Sequence, residues 1–123
     1  DAIVVDAFSN PRPEMIRERF LPFVAAIRKA HPAVPLIFLQ TIYRERANFD
    51  LKERAREEEK RRAARTVFEE AAKVYDHIDE PDLTGTDHIT SLDGTHPDDL
   101  GYWRWANAIQ PRIVKILKKY GIR

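Results

Sequence analysis

Two continuous apolar runs, Ala2-Ile3-Val4-Val5 and Pro35-Leu36-Ile37-Phe38-Leu39-Gln40, constrain this chain more than anything else in it. Both are short and without polar alternation, and the first is rich in β-branched residues, which is the pattern of strands covered on both faces. Between them, residues 13–30 carry Ile16, Phe20, Val24 and Ile27 at spacings of four, four and three, with Arg17, Glu18, Arg19 and Lys29 on the other faces. That periodicity predicts an amphipathic helix from Pro13 to Ala30, which Pro22 is expected to bend and His31-Pro32 to end. Strand, helix and strand in this order form a βαβ unit, so the two strands are expected to be parallel and the crossover right-handed. The fold class is therefore α/β, and Ala2–Val5 is expected to be a central strand.

The remaining segments extend that scheme. Residues 41–50 leave the carboxyl edge of the second strand and read as a variable loop, with Tyr43, Arg44 and Arg46 placed to line an entrance. Residues 51–65 are mostly Lys, Arg and Glu in i,i+4 spacing, which predicts a solvated helix on the surface. An apolar stripe resumes at Ala64, Val67, Phe68, Ala71 and Tyr75, so the second half of that helix is expected to dock on the sheet. A short strand is expected at Tyr75–Ile78, then a long irregular connection over residues 79–92. A last helix is expected from Pro97, with Tyr102, Ala106, Ile109, Ile113, Ile116 and Tyr120 on its packed face, Trp103 and Trp105 flanking that face, and Arg104 exposed. Pro111 predicts a kink or a fresh start, and Gly121 a C-terminal cap.

Composition excludes several classes. At 123 residues and 43% hydrophobic content there is core for one domain. A net charge of +1 offers no global field for nucleic acid or an anionic membrane, and Glu53, Glu57, Glu58 and Glu59 interrupt the one basic stretch. With no cysteine, there are no disulfides, thiol catalysis or zinc-thiolate sites. No apolar run approaches the ~20 residues of a membrane-spanning helix, and nothing at the start resembles a signal peptide. The chain opens without Met, one residue before a strand, as an excised or processed piece would.

Chemistry concentrates in Ser91-Leu92-Asp93-Gly94-Thr95-His96-Pro97-Asp98-Asp99-Leu100-Gly101. A proton-shuttling histidine needs its second ring nitrogen held by an acceptor, and a carboxylate three residues away can supply one. Gly94 permits a tight turn, while Pro97 biases His96 toward extended backbone just before the helix. The plainer alternative is that Asp93 caps a turn and His96 is the N-cap of the helix. His77 and His88, with Asp76, Asp87, Asp93 and His96, raise the question of a metal site, but their spacing matches no recognised ligand set. His31, on the turn at the opposite edge, reads as a surface residue.

Asp-Gly-Thr-His-Pro, followed by Asp-Leu-Gly and an amphipathic helix, resembles the last block of the SGNH (GDSL-like) hydrolases, within which it is most similar to the bacterial GDSL-like lipase/acylhydrolase branch. The resemblance implies a three-layer α/β/α, flavodoxin-like parallel sheet, with residues 1–123 a single, amino-terminally truncated domain covering the carboxyl-terminal two thirds or so. It implies that Asp93 and His96 are the acid and base of a serine triad. Asn10, which follows the first strand, matches the oxyanion-binding Asn of that family, although Phe8 stands where the family has Gly and Pro11 where an Asp commonly follows. The plain alternative for Asn10 is an Asn-Pro turn.

The nucleophile block of the family is absent. The chain has two serines, Ser9 and Ser91; Ser91 suits a turn, and Ser9 belongs to the Asn block rather than a Gly-Asp-Ser motif. The expectation is a serine ester hydrolase domain that supplies His96, Asp93 and Asn10, with the attacking Ser outside this chain, no metal or organic cofactor, and little activity alone. Its expected partners are a small ester, acylated carbohydrate among the candidates, and the missing amino-terminal segment or another chain. The competing class is a non-catalytic binding or assembly module on a hydrolase scaffold.

Overall fold

The computed structural model describes residues 1–80 and 82–122. Its elements run β1 (Ile3–Val5), α1 (Pro13–Ala30), β2 (Leu36–Leu39), a 3-10 turn (Glu45–Asn48), α2 (Leu51–Ala71), β3 (Asp76–Ile78) and α3 (Asp99–Lys119). The strands form one parallel sheet in the order β1-β2-β3, with Ile3 opposite Leu36 and Leu39 opposite Ile78. The sheet lies between helices, a three-layer α/β/α arrangement. Pro81, read from sequence as part of the 79–92 connection, lies outside the described residues.

All four residues of β2 are buried, and their alternation divides them between two cores. Leu36 and Phe38 join Phe8, Phe20, Phe68 and Tyr75 beneath α1 and α2. Ile37 and Leu39 join Ile78, Leu83 and Ile116 beneath α3. The first core is largely aromatic: Phe38 meets Phe20 and Tyr75 edge-on at centroid distances of 4.7 and 4.8 Å, geometry that adds to the stabilisation from burial alone.

Helix α1 has the bounds its periodicity predicts, with Pro13 in its first turn, and it continues through Pro22. Asp50 caps α2 by accepting from the Lys52 and Glu53 amides. At the far end of α3, Gly121 has a φ of +72°. Its amide reaches the Lys118 carbonyl and that of Ile122 reaches Leu117, which satisfies the last carbonyls in a Schellman turn.

The structure corrects five expectations. Among the described residues β1 lies at one end of the sheet, and Val4 is 45% exposed: α3 covers β2 and β3 but not the outer face of β1, and an apolar run does not reveal which neighbours will cover it. The charged half of α2 is not simply solvated, because Glu57 and Lys60 are buried. α3 starts at Asp99, and its N-cap is Asp98, whose side chain accepts from the Gly101 amide; His96 therefore precedes the cap. The packed face of α3 holds the expected Ile109, Ile113 and Ile116 but takes Trp105, Ala108 and Leu117 in place of Tyr102, Ala106 and Tyr120, which are exposed; the helix runs through Pro111 without a fresh start. Arg104 is half-buried rather than exposed: its guanidinium grips Asp87 at 2.7 and 2.8 Å.

Phe38, with no exposed surface, is expected to cost about 3–5 kcal/mol when truncated to Ala, measured by urea unfolding. Tyr75 donates to the Val67 carbonyl at 3.0 Å, and burial first, then the nearby Glu70, holds its phenol protonated well above the ordinary range. A folded-state pKa above the unfolded value of about 10 means a stabilisation fully present below that pH and lost as pH rises beyond it. Tyr75→Phe is therefore expected to lose about 1 kcal/mol at neutral pH and to show a shallower stability decline above pH ~10 in the same unfolding measurement.

Candidate active site

Because the three strands are parallel, the loops that follow them emerge at one edge of the sheet. The β1–α1 loop carries Ser9 and Asn10, the segment after β2 carries Ile42 and Arg44, and the β3–α3 connection carries Thr95, His96 and Pro97. All of them, with Asp6, Tyr102 and Trp105, line one cavity of about 220 Å³. The two ends of the sequence thus meet: Asn10 and His96 face the same space.

The His96 loop is built around a single carboxylate. Asp93 Oδ1 accepts from the backbone amides of Thr95 and His96, both at 2.8 Å, and Oδ2 lies 2.7 Å from His96 Nδ1. One side chain therefore fixes both the turn and the ring, and with Nδ1 so engaged, Nε2 is the nitrogen left free. The His96 side chain is 76% exposed, open to a substrate rather than locked in an ionic interior. Donation from the His96 amide above all, then from the His96 ring and the Thr95 amide, holds the Asp93 carboxyl well below the usual carboxylate range. The turn and the ring contact occur together, so the capping reading of Asp93 and the ring-orienting one describe the same residue.

Two glycines are sterically required. Gly94 has a φ of +74°, and a Cβ there would sit 3.0 Å from the Arg46 nitrogen, which itself donates to the Gly94 carbonyl at 2.8 Å. The 3-10 turn is thereby docked on the Asp93–His96 loop. Gly101, in the first turn of α3, passes so close to Thr90 that a Cβ would come within 2.6 Å of its carbonyl oxygen.

Other predicted positions lie elsewhere. His88 pairs with the buried Glu45 at 2.7 Å, His77 stacks on Phe68, and Asp76 accepts from Lys119 and Tyr120. Among the described residues no group of three or more His, Asp or Glu side chains is gathered to hold a metal ion. Ser91 Oγ donates to the His96 carbonyl at 2.7 Å, a turn contact. Ser9 Oγ lies 3.4 Å from Thr41 Oγ1. Trp103 is 65% exposed, whereas Trp105 reaches the cavity.

Sequence reasoning missed the support behind Asn10. The Ser9 carbonyl accepts from Arg44 Nη2 at 2.7 Å and from Lys60 Nζ at 3.0 Å. Glu57 Oε1 lies 2.6 Å from Lys60 Nζ and 3.5 Å from Arg44 Nη1. A signal was present: Glu57 and Lys60 continue, at spacings of three and four, the stripe Ala64, Val67, Ala71, so they occupy core-facing positions of α2. Asp6, in the cavity wall beside Ser9, Asn10 and Trp105, has its carboxyl raised by partial desolvation. In an NMR carboxyl titration, Asp6 is expected to titrate above the ordinary value of ~3.9 and Asp93 below it; the reverse order would contradict the hydrogen bonds at Asp93.

The GDSL-like lipase/acylhydrolase family profile matches residues 1–114. Among solved structures, a protein named as a GDSL-like lipase from Bacteroides ovatus ATCC 8483 superposes with a TM-score of 0.91 at 39% identity over 96% of this chain. The match spans 36% of that protein's length. No curated protein matches the chain.

Proposed function

The chain belongs to the GDSL-like lipase/acylhydrolase family, and from that premise we propose that it forms the acid–base and oxyanion part of a serine ester hydrolase. The observation that carries this reading is the convergence of the Asp93-held imidazole and Asn10 on one cavity. In the proposed reaction, a Ser from outside this chain attacks the ester carbonyl while His96 Nε2 takes its proton. Asp93 stabilises the imidazolium through Nδ1. The Asn10 amide donates to the oxyanion, a contribution of about 3 kcal/mol at such sites. His96 then returns the proton to the departing alkoxide, and an acyl-serine remains; a water molecule deprotonated by His96 releases the acid.

The cavity wall supports a hydroxyl-rich alcohol moiety. Tyr102 and Trp105 stand with centroids 6.4 Å apart, and Asp6, Asn10 and Arg44 supply polar groups beside them. Aromatic faces with interspersed donors and acceptors suit an acylated carbohydrate. For the partner, the unpaired edge of β1 and the apolar groove of Ala7, Pro11, Met15 and Phe23 favour an added apolar strand that brings the nucleophile, from the same polypeptide or a second chain.

The second reading is a binding module that keeps the scaffold. Neither Ser9 nor Ser91 hydrogen-bonds the His96 ring among the described residues, which both readings allow. Hydrolysis of p-nitrophenyl acetate separates the two. The 123-residue chain alone is expected to stay near background. The natural gene product, purified from its host, is expected to be active and to lose about 10²–10⁴-fold on His96→Ala or Asp93→Asn. Activity of the isolated chain that Ser9→Ala abolishes would make Ser9 the nucleophile instead; a natural gene product with no activity would favour the binding module.

A further inference from the structure

An oxyanion donor works only if it is held in place before the charge develops, since a loose amide has to reorganise at the moment of reaction. Asn10 is exposed, and its side chain has no hydrogen-bond partner among the described residues, so its position rests entirely on its backbone. That backbone lies in the irregular segment between β1 and α1.

Three constraints act there. Phe8, 2% exposed, is wedged between Phe20 and Phe68 at centroid distances of 5.4 and 5.1 Å, which pins the residue two before Asn10. Pro11 follows directly and confines Asn10 to extended backbone. The third is the pair of cations on the Ser9 carbonyl, described above. That carbonyl belongs to the peptide plane that contains the Asn10 nitrogen, so gripping it sets the orientation of the plane from which Asn10 departs.

Burying a lysine is expensive. Lys60 is 1% exposed, and desolvation lowers its pKa against the opposing effect of Glu57. An isolated buried ammonium would cost several kcal/mol, and even a paired one is often no better than an apolar residue of similar size. α2 already docks through Ala63, Ala64, Val67, Phe68 and Ala71, so helix packing does not require a charge at position 60. What the ammonium adds is a rigid donor from the helix to the loop.

We infer that Lys60 and Arg44, with Glu57 as their shared counter-ion, are positioning residues that hold Asn10 toward the cavity faced by His96. The inference rests on the hydrolase reading above and assigns neither cation a direct part in the chemistry. The charges come from two segments, α2 and the stretch after β2, and meet at a backbone carbonyl of a third, the β1–α1 loop, so the device locks the two loops to a helix whose own position is set by the aromatic core.

A double-mutant cycle on the natural gene product tests this. Lys60→Met is expected to lower kcat for p-nitrophenyl acetate about 10-fold with KM little changed, as a displaced transition-state donor would. In an Asn10→Ala background the same substitution is expected to cost less than about twofold, because there is no amide left to misplace. Equal losses in both backgrounds, or no loss on Asn10→Ala alone, would overturn the inference. If Lys60→Met does not fold by circular dichroism, Arg44→Gln, at the cavity wall, runs the same cycle. Activity indifferent to His96→Ala would sink the hydrolase reading as well; activity that needs His96 but shows additive losses sinks only this one. If the gene product proves inactive, relaxation of its Asn10 backbone amide decides: an order parameter near 0.85 falling below about 0.6 in Lys60→Met supports the clamp, and an unchanged one refutes it.

Discussion

The four residues of β2 are buried, and because neighbouring side chains in a strand point to opposite faces, they demand cover on both sides of the sheet at once. α1 and α2 meet the demand of Leu36 and Phe38, and α3 meets that of Ile37 and Leu39. Strands so covered pair in parallel, since each connection has to pass through a helix layer before the next strand begins. Parallel pairing in turn gathers the three strand-exit loops at one edge. Residues 10, 44 and 96, remote in the chain, become neighbours because a four-residue strand has to be buried on both faces.

The site is assembled by two different physical devices. At His96 a carboxylate accepts from two amides and faces the ring within one short turn, so the geometry is local and stays open to solvent. At Asn10 the geometry is remote: an aromatic anchor, a proline and two cations from distant segments hold a loop that has no regular structure of its own. The second device has a larger desolvation cost, which is consistent with a site where electrostatic preorganisation rather than packing sets the requirement. Phe8 is the side chain that ties this loop to the core.

The 3-10 turn connects the two. Its Arg46 amide holds the Gly94 carbonyl, its Glu45 holds His88, and the preceding Arg44 holds Ser9. A segment that reads from sequence as a variable loop is thus the bracket between the Asp93–His96 turn and the β1–α1 loop, and Arg44 also lines the cavity.

Local patterns were enough for the elements whose stability is local or whose burial is symmetric. The stripe Ile16, Phe20, Val24 bounds α1 to the residue, β2 is the fully apolar run it reads as, and Asp93, Gly94 and His96 form a turn whose hydrogen bonds span three residues. Only the tertiary structure decided that β1 lies at one end of the described sheet, that α3 turns Trp105 rather than Tyr102 to the core, and that Glu57 and Lys60 lie inside. Burial on a given face depends on which distant element covers it, and a charged side chain can occupy a core-facing position only when partners from other segments neutralise it. Periodicity along one helix contains the first half of that condition and none of the second.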